Sequence, residues 1–120
     1  MTDVFPTLLA AAGARPDPAW KVTGADLLDV WRGKARGPAR TLFWEWRVEG
    51  YRQLAAMRGD RKLVITNGGP PELFDVARDP GERRSVIAEY KEQATEMRQA
   101  LNAWLKTETE ESKWGKKPAK

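Results

Sequence analysis

The stretch Thr41-Leu42-Phe43-Trp44-Glu45-Trp46-Arg47-Val48, followed by Glu49-Gly50 and then Tyr51 to Met57, decides the fold of this chain. Leu42, Trp44, Trp46 and Val48 alternate with Phe43, Glu45 and Arg47, the period of a strand with two unlike faces. Glu49-Gly50 turns the chain into a second strand over 51–57, and Arg58-Gly59-Asp60 makes another tight turn. Arg61–Thr66 reads as a third strand, and Glu72-Leu73-Phe74-Asp75, after a Gly/Pro loop, as a short fourth. Four consecutive strands with short connections predict an antiparallel meander.

Outward from the sheet, the signals become helical. Between Gly81 and Gly115 there is no glycine, and Ile87, Tyr90, Ala94, Met97, Leu101 and Trp104 recur at alternating steps of three and four. A helix from Ser85 to Thr107 is predicted, about 35 Å long and able to cross the sheet. Its stripe is expected to cover the Leu42, Trp44, Trp46, Val48 face. On the other side, Asp3–Gly13 and Ala25–Trp31 read as two short helices, capped by Thr2 or Asp3 and stopped by Gly13 and Gly33. Arg15-Pro16-Asp17-Pro18 between them is extended. The predicted class is α+β: a four-stranded antiparallel sheet packed by a long C-terminal helix and preceded by two short helices. Residues 1–40 form a helical segment with a basic loop, 41–110 the sheet and long helix, and 111–120 a flexible charged tail.

Composition narrows the chemistry. The 120 residues contain no Cys and no His, which removes thiolate nucleophiles, disulfides, Cys/His zinc sites and histidine bases. An enzyme acting alone is disfavoured. The net charge of +4 concentrates in Arg32, Lys34, Arg36 and Arg40 and in the terminal lysines. Both stretches could meet a polyanion, although a solvated loop and tail explain them as well. No apolar run approaches a membrane span, and the N-terminus lacks a signal-peptide pattern.

Individual candidates are few. Ser85 and Ser112 lie in no nucleophile motif. Asp26 and Asp29, three apart on a short helix, could hold a cation, or simply serve as surface charges. Lys62 sits inside the third strand as a buried or rim cation. Among six Trp, Trp31, Trp44 and Trp46 flank the basic loop, suited to stacking on bases or sugars or to an aromatic core. The two short helices and the second sheet face lack apolar partners within so short a chain, which points to a part of something larger.

Five motifs in order carry a resemblance. Asp3-Val4-Phe5-Pro6-Thr7-Leu8-Leu9 with Ala12-Gly13 resembles the D-x-x-P-T-L-L-x-x-A-G segment that closes the catalytic domain of sulfatases. Gly24-Ala25-Asp26-Leu27-Leu28 with Arg32-Gly33 resembles the family's next segment, with Asp26 where Ser is usual. Phe43-Trp44-Glu45-Trp46 through Gly50 and Gln53 is similar to its Y/F-W-E strand. Met57 to Val64 is similar to its R-x-G-x-W-K-L strand pair, with Arg61 in place of Trp. Glu72-Leu73-Phe74-Asp75 with Asp79-Pro80-Gly81-Glu82 matches its E-L-Y/F-D signature.

The resemblance implies the C-terminal subdomain of a two-part α/β hydrolase of sulfuric esters, with arylsulfatases among its members and often exported. The family's formylglycine, made in a C/S-x-P-x-R motif, and its calcium belong to the catalytic domain. Neither maps onto this chain, which is expected to hold no cofactor, no metal and no catalytic residue and to be inactive alone. In the family, the strand and loops around the W-E segment face the substrate end of the active site. Glu45, Arg47 and Gln53 are therefore the expected substrate contacts. Expected partners are a sulfatase catalytic domain or a second copy of the chain, a homodimer built on the N-terminal helices. Membranes and nucleic acid are not. The alternative is a stand-alone basic module for a polyanion, nucleic acid or a sulfated glycan.

Overall fold

The computed structural model describes residues 2–111, with side chains through 107. The tail expected over 111–120 lies outside the described residues from position 112 onward. The chain divides into two compact units, Met1–Pro38 and Ala39–Lys120.

In the first unit, α1 (Val4–Ala11) and α2 (Leu28–Trp31) are separated by a single 3-10 turn at Pro18–Trp20. Side chains of the first turn lace α1 to the chain before α2. The Asp3 carboxylate accepts from the Ala25 amide at 2.8 Å instead of capping its own helix, and the buried Thr7 hydroxyl accepts from Leu27 N at 2.9 Å. Those bonds correct the helix expected from Ala25. With the amides of Ala25 and Leu27 bonded to Asp3 and Thr7, residues 25–27 stay outside the helix. Asp26 then accepts from Leu28 N at 2.8 Å where α2 begins. A Cβ at Gly24 would lie 2.0 Å from the Thr2 carbonyl oxygen, so only glycine permits this approach.

The second unit is α+β. Strands β1 (Thr41–Val48), β2 (Tyr51–Arg58), β3 (Arg61–Thr66) and β4 (Glu72–Asp75) form one antiparallel sheet in sequential order, and α3 (Lys91–Glu111) follows. Two-residue connections at Glu49-Gly50 and Gly59-Asp60 set the register, with φ of 71° at Gly50 and 55° at Gly59. Phe43, Ala56, Leu63 and Leu73 stand in one cross-strand row. Together with Leu54 this row packs under Ala94, Met97 and Leu101 of α3, the main core. Phe43 stacks on Trp104 with ring centroids 5.5 Å apart.

The helix therefore covers the Phe43 face of β1 and not the expected Trp44 face. The parallel row on the far side runs Trp44, Ala55, Val64 and then Glu72, so it ends on a carboxylate. The other three strands offer their larger aliphatic side chains to the Phe43 side, and they outvote β1.

The start of α3 also differs from expectation. Leu73 on the outer strand donates its N–H to the Ser85 hydroxyl at 3.2 Å and accepts from Val86 N at 2.7 Å. Residues 85 and 86 are held against the sheet edge, satisfying backbone groups that β4 would leave open. Helix begins only at Lys91.

Candidate functional site

Register places Arg47 of β1 directly opposite Arg52 of β2, with Glu45 one step along on the same face. Like charges in that position repel unless something neutralises them. Glu45 does so for both. Its Oε1 accepts from Arg47 Nη2 at 2.6 Å and Nε at 3.1 Å, and from Arg52 Nε at 2.8 Å. Hydrogen bonds from Arg47 and then Arg52 hold the Glu45 carboxyl below the usual carboxylate range, against a smaller opposing effect of burial. The Arg47 and Arg52 side chains remain 66% and 45% exposed.

The backbone beneath them is fixed from the β3 side. Arg52 N donates to Asn67 Oδ1 and Asn67 N to Arg52 O, each at 2.7 Å. Asn67 takes φ of 50°, a conformation its short polar side chain tolerates. Gln53 lies on the far face of the sheet, where its Nε2 donates to Tyr51 Oη at 3.0 Å and Thr66 Oγ1 at 3.4 Å. Of the three expected contacts, Glu45 and Arg47 are thus brought together and Gln53 stands apart.

On that far face Trp44, Trp46, Ala55, Met57 and Val76 line a concavity of about 510 Å³. Trp44 is 45% and Trp46 64% exposed. Lys62, the rim cation of the sequence, pairs with Glu82 at 2.5 Å at its border. Glu82 adopts φ of 51°, a left-handed backbone that an ordinary side chain occupies only at a cost.

The remaining candidates resolve structurally. Arg61 sits in the Trp position of the motif and pairs with Asp75 at 2.5 Å while lying 4.4 Å over the Tyr90 ring. Burial pushes the Asp75 carboxyl up, but the Arg78 amide and the Arg61 guanidinium outweigh it, and the net displacement is downward. Ser85 is a backbone partner of Leu73. Asp26 lies two residues before α2, where its carboxylate accepts from Leu28 N, so Asp26 and Asp29 do not share the helix. Trp31 belongs to the first unit, Trp44 and Trp46 to the second. Among the described residues no three His, Cys, Asp or Glu side chains cluster to hold a metal ion. No helix among the described residues is long and apolar enough to cross a membrane.

Sequence reasoning missed Arg52 and Asn67. A signal for Arg52 existed: a two-residue loop at Glu49-Gly50 forces 47 to pair with 52. Nothing local marks Asn67, whose partner is fifteen positions away.

No family model matches the chain. Mouse steryl-sulfatase is 29% identical over 132 aligned positions, covering 86% of this chain and 21% of that protein. Solved structures share the fold, three of them as follows. Ps i-CgsB superposes with a TM-score of 0.73 at 23% identity, over 85% of this chain and 23% of its own. A protein solved with its substrate D-glucosamine-2-N,6-O-disulfate gives 0.67 at 24%, over 87% and 23%. A 2-O GAG sulfatase gives 0.66 at 24%, over 98% and 27%. The chain spans about a fifth of the curated relative it matches. What its ordered motifs and its fold match is the C-terminal subdomain of a sulfatase, a fifth to about a quarter of those chains.

Proposed function

We propose that the chain is the scaffold and substrate-side part of a sulfatase, working only when a catalytic domain seats against the Trp44 and Trp46 face. One observation carries this reading. Leu42, Trp44, Trp46 and Val48 form an exposed apolar row on a sheet whose other side is already packed by α3. Patches of this kind mark contact surfaces, and burial is favourable by about 25 cal/mol per Å². The extra length of the relatives is the natural occupant. Gln53 of β2 on the docking side and Glu45 with Arg47 of β1 on the other are the side chains offered to a sulfated substrate.

The DNA upstream of Met1 gives the first test, an in-frame segment bearing C/S-x-P-x-R being the expected finding. Expressed with that segment, the chain should support sulfate release from an aryl sulfate, and the W44E/W46E double variant should lose it together with co-purification. Release by the 120 residues alone, or association untouched by the double variant, would overturn the reading.

A second reading concerns the isolated chain. Val4, Phe5, Leu8 and Trp31 are exposed on the first unit, and Leu9, Leu27 and Leu28 are only half-buried. Without a catalytic domain these side chains favour a homodimer through the N-terminal helices. A monomer by light scattering at micromolar concentration excludes it. The polyanion module would instead show steeply salt-dependent affinity for heparin or DNA.

A further inference from the structure

We infer that Arg47 and Arg52, set by Glu45 and Asn67, form a clamp for a sulfate or carboxylate group of a polyanionic sugar, separate from the ester that is cleaved. The inference rests on the reading that β1 faces substrate. It adds Arg52, and a chemical class, to that edge.

Charge balance is the first argument. A surface ion pair needs one base for one acid, as at Arg58 and Glu96, 3.0 Å apart. Here two guanidiniums share a single carboxylate oxygen, and the two bases stand directly opposite each other. The group keeps one net positive charge on an exposed surface.

Donor accounting is the second. Arg47 commits Nε and Nη2 to Glu45, whereas Arg52 commits only Nε. The remaining N–H groups of both forks suit the planar, bidentate recognition of an oxyanion. Glu45 stays ionised through the neutral range and fixes the guanidinium planes. Its charge repels an anion on its own side, so binding falls to the outer edges of the forks. Asn67, bonding both backbone groups of Arg52, holds the platform still. A positioned pair of this kind loses little side-chain freedom when it binds.

The test uses the whole chain, isotopically labelled, and follows the arginine Nε–H resonances by NMR. Sodium sulfate is titrated against sodium chloride at matched ionic strength, and D-glucosamine-2-N,6-O-disulfate against unsulfated glucosamine. Saturable shifts of Arg47 and Arg52 are expected with sulfate and the disulfated sugar. Chloride and glucosamine should give none. R52Q should weaken the binding about tenfold or more, whereas R36Q, in the basic loop, should leave it unchanged. Retained dispersion of the core amides shows that R52Q is folded. Equal shifts with chloride, or binding indifferent to R52Q, would overturn the clamp. Sulfate binding lost in R52Q supports the clamp whatever the sulfate-release assay decides about the catalytic partner.

Discussion

Glu45 carries two ion pairs on one oxygen, and that arrangement has a pH signature. Its carboxyl titrates below the ordinary value because Arg47 and Arg52 favour the charged form. A depressed folded value means that the stabilisation is complete above the unfolded pKa, about 4.3, and is lost as pH falls through the lower folded value. The contribution of this group to thermal stability should therefore be level between pH 7 and 5 and fall below about pH 4. Melting curves of the chain and of E45Q across that range check it, and E45Q should lack this part of the acid loss. Gly24 gives a second prediction at this scale. With no room for a Cβ against Thr2, G24A should cost the first unit about 1–3 kcal/mol. Hydrogen exchange at the amides of Ala25 and Leu27, now bonded to Asp3 and Thr7, should quicken.

At the scale of elements, α3 and its face of the sheet supply the core, and their contacts differ in depth. Met97 is fully buried among Leu54, Leu63 and Leu73, whereas Trp104 is half-buried against Phe43. M97A should cost about 2–5 kcal/mol and W104A about 2 kcal/mol, read from urea titrations. The reverse order would place the centre of the core at the Phe43 end. The strands themselves were legible because two-residue glycine loops fix their register within a few positions. Which face of β1 would be buried was not. Its most apolar alternation is the Leu42, Trp44, Trp46, Val48 row, and burial was decided by partners on β2 to β4 that no window along β1 contains. Ser85 to Tyr90 misled for the same reason. Their helical propensity is adequate, but Leu73, twelve residues earlier, claims Ser85 and Val86. At the candidate site, Glu45 and Arg47 were within reach of motif reading. Arg52 required the register, and Asn67 the folded sheet.

At the scale of the whole molecule, the 120 residues by themselves should release no sulfate from an aryl sulfate, with or without added calcium. The check is turnover above a boiled control. The exposed row of Leu42, Trp44, Trp46 and Val48 lies on β1, an outer strand of the sheet. An eight-residue outer strand carrying two exposed indoles is a template on which a further strand could grow. Arg47, standing out from that strand with its charge only half answered, sets a penalty on stacking copies of the hairpin side by side. The clamp and the defence against fibril growth thus reside in one guanidinium. Replacing it with an apolar residue would weaken anion capture and, with the same stroke, remove a gatekeeper against amyloid-like assembly.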